Sequence, residues 1–198
     1  MISLYKIKPK FQQLLRPILR SMHEAGITAN AITWMAILLS LIIGALFWWK
    51  PTGIMLVILP LSLLVRMALN ALDGMMAREY NMQSKVGEVL NELGDVVADI
   101  FMYFPLILLP GMHPLSIIVF IFLSIINEFA GVLAKAITGF RRYDGPMGKS
   151  DRAMMVGLLL LILFWFPEAT IAVNYVFGAG SFLLVVSTAI RIKHTLQP

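Results

Sequence analysis

Cysteine is absent from all 198 residues, so disulfides, thiolate nucleophiles and thiolate metal sites are excluded, and any metal must be held by oxygen or imidazole. Histidine is scarce: His23, His113 and His194 fall at the edges of apolar runs or in tails, with no mutual spacing that would make an imidazole site. Charge is scarce as well. Only 14% of residues are Asp, Glu, Lys or Arg while 59% are hydrophobic, a balance that excludes an ordinary soluble globular domain. There is no internal repeat, no low-complexity tract and no polar linker long enough to divide the chain, so a single membrane domain over residues 1–198 is expected.

What the chain does contain is a succession of apolar runs, each near the roughly 20 residues that cross about 30 Å of hydrocarbon. They run from Ile32 to Trp49, Ile54 to Leu72, Val86 to Leu109, Leu115 to Ile137, Ala153 to Phe166 and Ile171 to Ile190. The expected fold is therefore an all-α integral membrane bundle of about six transmembrane helices. No cleavable signal peptide is expected, because the first long run begins about thirty residues in and is long enough to remain as a span.

Basic residues alternate between loops. Lys6, Lys8, Lys10, Arg16 and Arg20 precede the first run, Arg78 and Lys85 follow the second, Arg141, Arg142, Lys149 and Arg152 follow the fourth, and Arg191 and Lys193 follow the sixth. The other loops hold Lys50, His113 and Glu168. Lys and Arg are retained on the cytoplasmic side during insertion, so both termini are expected there, with a bacterial inner membrane as the setting. The same charges account for the pI of about 9.6 through orientation and anionic lipid, which leaves no role for nucleic acid. Leu4 to Ala25 interleaves cations with Phe11, Leu14, Leu15, Ile18, Leu19 and Met22 at near-helical spacing, so residues 1–28 read as an amphipathic segment on the cytoplasmic face.

One pattern carries chemistry. Asn70, Asp73, Gly74, Ala77 and Arg78 end the second run, and after eight residues Gly87, Asn91 and Asp95 step by four along the third. Residues three and four apart share a helix face, so two polar stripes are expected to face each other across antiparallel neighbours, with Arg66 one turn earlier on the first stripe. Ionisable groups inside a span cost about 2.5 to 3.5 kcal/mol each on insertion scales, and several together argue for a site. Converging oxygen ligands suit a hard divalent cation, Mg²⁺ or Mn²⁺, and Gly74 and Gly87 leave room for close approach of a ligand or backbone.

With these residues in place the chain resembles the CDP-alcohol phosphotransferase family, whose signature is Asp, two residues, Asp-Gly, two residues, Ala-Arg, eight residues, Gly, three residues, Asp, three residues, Asp. Spacing and order agree throughout, and two positions depart: Asn70 and Asn91 stand where the family has its first and third Asp. The resemblance implies a phospholipid-synthesis enzyme in which an acceptor hydroxyl attacks the pyrophosphate of a CDP-linked alcohol, usually CDP-diacylglycerol, and CMP leaves. It implies a divalent metal at Asp73, Asp95, Asn70 and Asn91, Asp95 as catalytic base, and Gly74, Ala77, Arg78 and Gly87 framing the CDP group. It also implies a CDP-linked lipid donor, an acceptor alcohol, surrounding membrane lipids and a homodimer as partners.

Three further groups enter as expectations. Glu88 and Glu92 lie near the Asn91 stripe and are candidate auxiliary metal ligands that restore charge. Lys149 and Arg152, with Arg141 and Arg142, precede or open the fifth run and suit an acceptor headgroup or phosphate, while Ser150 or Asp151 is placed to cap the helix. Asn127 and Glu128, inside the fourth run, are expected to be structural, paired with Arg66, Lys135 or a loop cation. The rival functions are a catalytically silent lipid-binding homologue, favoured by the two Asn residues, and a transporter, disfavoured because the outer halves of the runs are almost purely apolar.

Overall fold

The computed structural model describes residues 8–51 and 53–197. The start of the amphipathic segment, Leu4 to Ile7 with Lys6, lies outside the described residues. Among those described, every regular element is helical: α1 Lys8–Glu24, α2 Ala29–Trp49, α3 Met55–Glu79, α4 Lys85–Tyr103, α5 Pro114–Thr138, α6 Lys149–Trp165 and α7 Thr170–Leu196, with short 3-10 turns at Phe104–Leu108 and Pro167–Ala169.

α1 packs through one face and leaves Arg16 and Arg20 exposed. Leu15 and Leu19 are buried against Ile32 of α2 and Leu72, Met75 and Met76 of α3, while Leu14 and Ile18 stay exposed. Gly26, with φ of 75°, turns the chain into α2, and Thr28 caps that helix by accepting from the Ala31 N–H at 3.3 Å. α2 then packs against both α3 and α4, α3 packs on α6, and α5 packs on α7. Aromatic and aliphatic side chains from all six long helices after α1, including Phe47, Leu59, Tyr103, Phe120, Val156 and Phe177, fill one buried cluster.

Among the described residues, four segments are long and apolar enough to cross a membrane: Ala29–Trp49, Met55–Glu79, Pro114–Thr138 and Pro167–Leu196. Their outward positions carry Trp34, Leu38, Ile42, Leu64, Phe122, Phe129 and Phe182, which suits hydrocarbon as the solvent. The third and fifth expected runs differ from the sequence reading. α4 carries Lys85, Glu88, Glu92, Asp95 and Asp99, and it stops at Tyr103, where Pro105 starts a tighter turn in place of the helix expected to reach Leu109. α6 has 17 residues and begins at Lys149, earlier than the apolar run itself. Both are helices of the bundle whose charged turns, or shortness, set them apart from the four apolar ones.

Candidate active site

The motif begins on α3 and ends on α4. Between them Asn81 adopts φ of 55° in the turn, and Ser84 starts α4 by accepting from the Gly87 N–H at 3.0 Å. The expectation that these helices pack directly as antiparallel neighbours is corrected: the main contacts of both are with α2, which supports each of them from behind. Polar side chains bridge the remaining gap, Asn70 to Asp95 and Arg66 to Asp99, and in front of them a cavity of about 440 Å³ opens.

Asp73, Gly74, Ala77, Arg78, Gly87, Asn91, Glu88, Glu92 and Arg141, all singled out from sequence, line that cavity. The glycines are there for space. A Cβ on Gly87 would lie 2.5 Å from the Asn30 side-chain oxygen, and one on Gly74 would press within 3.3 Å of the Arg78 guanidinium. Asp73 is buried; its Oδ2 accepts from the Thr33 hydroxyl at 3.0 Å, while its Oδ1 has no hydrogen-bond partner. A buried carboxylate oxygen without a partner is costly unless something else satisfies it, and a hard cation is the natural candidate.

Asp95 is in the opposite condition. Its Oδ1 accepts from the Asn70 amide at 2.7 Å and lies 3.5 Å from Arg66, and its Oδ2 is bonded to the Lys149 ammonium. Asn70 therefore acts as a donor to Asp95 in this arrangement. Among the described residues there is no cluster of three or more His, Cys, Asp or Glu that would hold a metal ion by itself.

Behind the cavity lies a chain of buried ion pairs. Arg66 bonds Asp99 at 2.6 Å, Arg152 bridges Asp99 at 2.9 Å and Glu128 at 3.0 Å, and Arg141 links Glu128 at 2.6 Å to Glu92 at 2.9 Å. Glu128 is thus paired with Arg141 and Arg152; among the cations weighed for it from sequence, the loop choice holds, and Arg66 serves Asp99 and Asp95 instead. Burial disfavours the charge on Arg141, but Glu128 and Glu92 outweigh it and hold the guanidinium pKa above its ordinary value. Glu88 pairs with Lys135, so both candidate auxiliary ligands already have cationic partners. Arg142 donates to the His194 carbonyl at 3.1 Å, away from the cavity. Asp151 accepts from the Gly148 N–H at 2.9 Å, closing the start of α6.

Several contributors were not legible in the motif. Thr33 and Asn30 sit at the start of an apolar run with nothing in the sequence to tie them to Asp73 or Gly87. Arg191 read as an orientation charge, yet it is buried, donating to the carbonyls of Asn127 at 2.5 Å and Asp144 at 3.1 Å. Only the pairing of α5 with α7 brings it there.

An all-helical membrane bundle with this motif around one cavity corresponds to a known class, and the sequence pattern of CDP-alcohol phosphatidyltransferase matches residues 26–190. The chain belongs to that family, a family of phosphotransferases, and is an integral membrane protein. Among individual proteins, inner membrane protein YnbA of Escherichia coli K12 is 43% identical over 195 residues, covering 98% of this chain and 97% of that one. In fold the chain is similar to Mycobacterium tuberculosis phosphatidylinositol phosphate synthase, PgsA1, with CDP-DAG bound: TM-score 0.76, 18% identity, 92% of this chain and 94% of that one. The same synthase in complex with manganese and citrate aligns with TM-score 0.74 and 19% identity over 90% and 87% of the two chains.

Proposed function

We propose that this chain transfers a phosphatidyl, or related phospho-alcohol, group from a CDP-alcohol, CDP-diacylglycerol in the first instance, to an acceptor alcohol with release of CMP. The observation that carries the reading is that six signature residues of α3 and α4, Asp73, Gly74, Ala77, Arg78, Gly87 and Asn91, line one polar cavity, while the other two, Asn70 and Asp95, are bonded to each other. Beside it, between α2 and α4, runs an apolar groove of about 630 Å³ lined by Trp34, Ile37, Leu41, Val89, Leu93 and Val97. A diphosphate with an acyl tail suits that pair of surfaces, polar at the bundle end and apolar along the hydrocarbon. The PgsA1 structure with CDP-DAG supports the donor class.

The residues assign themselves to steps. Gly74 and Gly87 leave backbone space for the cytidine diphosphate, with Ala77 and Arg78 at its side. Asp95 accepts the hydroxyl proton as the acceptor oxygen bonds to the phosphatidyl phosphorus. The phosphoanhydride bond to CMP breaks, and CMP leaves with the electron pair. Asn70 and Lys149 orient the Asp95 carboxylate from both sides. Arg141 faces the cavity as the acceptor or phosphate contact, while Arg152 holds Glu128 and Asp99 behind it and Arg142 ties the loop to α7.

Mg²⁺ or Mn²⁺ fits here: the unpartnered Asp73 oxygen and the side chain of Asn91 face one cavity, and such ions bind through one or two carboxylates plus substrate phosphates. When bound, the ion would neutralise charge on the diphosphate and its leaving oxygen.

We further read α4 and α6 as spans, giving six. Both termini are then cytoplasmic, since Arg78, Lys85, Lys135, Arg141, Arg142, Lys149, Arg152, Arg191 and Lys193 all belong to the motif end of the bundle, against Lys50 at the other. The chain forms one domain, in a bacterial inner membrane.

The test is CMP release from CDP-diacylglycerol in vesicles with Mg²⁺ or Mn²⁺ and a pool of alcohols, beside an Asp95→Ala control. Metal-dependent release lost in the control is the expected result, and the lipid product identifies the acceptor. No release from folded protein with any alcohol would favour the silent homologue instead.

A further inference from the structure

Asn70 and Asn91 remove two formal negative charges from the signature, and the structure shows a cation in the same place. Lys149 reaches from the first residue of α6 to bond Asp95 Oδ2. With an ammonium already bonded to Asp95, an additional divalent ion at that carboxylate would meet the repulsion of a like charge. The oxygens of Asp95 are taken on both sides, by Lys149 and by the Asn70 amide, and Arg66 stands 3.5 Å away. Of the carboxylates lining the cavity, Asp73 has a buried oxygen, Oδ1, without a hydrogen-bond partner, and Asn91 lines the same cavity while Asp95 does not.

We infer that this chain works with a single divalent ion, held at Asp73, and that the Lys149 ammonium on Asp95 supplies the positive charge that a second ion would otherwise bring to the diphosphate. The inference rests on the transferase reading of the site. Its chemistry is consistent with the substitutions: an Asn in place of Asp lowers affinity for a dication but leaves a lysine pair with Asp95 undisturbed. In a site with two additional carboxylates the same lysine would be neutralised in competition with the metal. Here two neutral amides let ion and lysine coexist.

The experiment counts ions rather than turnover. Mn²⁺ is titrated into wild-type protein in lipid nanodiscs with a short-chain CDP-diacylglycerol, and bound Mn²⁺ is followed by electron paramagnetic resonance. One Mn²⁺ per chain with an uncoupled six-line spectrum is expected. The triple variant Asn70→Asp, Asn91→Asp and Lys149→Met should bind two, with an exchange-coupled spectrum. Two coupled ions in the wild type, or none, would overturn the inference, as would a folded triple variant that still binds one. Should the triple variant fail to fold, the wild-type count decides alone. CMP release measured on the same wild-type sample separates the two readings: one bound ion without release would count against the transferase assignment and leave the ion inventory standing.

Discussion

Asp73 and Asp95 belong to one motif and are both buried, yet their surroundings differ in kind. Asp73 rests on a single hydroxyl from α2 and turns an unpartnered oxygen toward the cavity. Asp95 is held by an amide from α3, a lysine from α6 and an arginine from α3, each contributed across a helix boundary. In the proposed reaction the first is open to a ligand that is not part of the chain. The second is part of the chain's own architecture, the front member of a series of ion pairs running through Asp99 and Glu128. One motif therefore combines an open carboxylate with one, the proposed base, that is also tied into the ion pairs, and the two should separate in stability when each is removed.

The largest effect belongs to the structural side. Arg152 is fully buried and bridges Asp99 of α4 to Glu128 of α5. Arg152→Met leaves two buried carboxylates short of a partner, a change worth about 3–5 kcal/mol. A sharply lower melting temperature in detergent, or loss of folded protein, is expected; a melt within a few degrees of wild type would mean the ion pairs are not what holds α4, α5 and α6 together.

Asp73→Asn and Asp95→Asn sharpen the contrast directly. Each should lower CMP release by about 10²-fold or more, the scale on which catalytic charge groups act. Stability should distinguish them. Asp73→Asn keeps a group able to accept from Thr33 and should melt within about 0.5 kcal/mol of wild type. Asp95→Asn leaves Lys149 without its carboxylate and should cost about 1.5–3 kcal/mol. Thermal melts of the two variants side by side measure this, and equal melts would collapse the distinction drawn between them.

That distinction also marks how far the sequence could be read. The intervals from Asn70 to Asp95 bring Asp73, Gly74, Ala77, Arg78, Gly87 and Asn91 to one cavity and set Asn70 beside Asp95, because helical periodicity turns fixed intervals into shared faces. Apolar runs located the helices, with the end of α4 misjudged because Pro105 tightens the chain within a run that stays hydrophobic. What the sequence did not reveal is who satisfies whom. Thr33 to Asp73 spans 40 residues, Lys149 to Asp95 spans 54 and Arg191 to Asn127 spans 64, and such pairings follow from packing that no local pattern encodes. Glu88 and Glu92 lay on the right face for metal ligands, but periodicity is silent about Lys135 and Arg141 arriving from beyond it.

Those two glutamates give the smallest expected effects and the finest test of the comparison. The Glu88 and Lys135 pair is about half exposed, so Glu88→Gln should cost no more than about 0.2–1 kcal/mol, diminishing as salt is raised. Glu92 is more enclosed and shares Arg141 with Glu128, so Glu92→Gln should cost somewhat more while Arg141 keeps one carboxylate. If Asp73 is the anchor for the ion, the double Gln variant should shift Mn²⁺ affinity by less than about tenfold, equivalent to 1.4 kcal/mol. A larger loss would mean that these carboxylates leave their cations for the metal, and that the line between the open and the structural side runs through α4 rather than between Asp73 and Asp95.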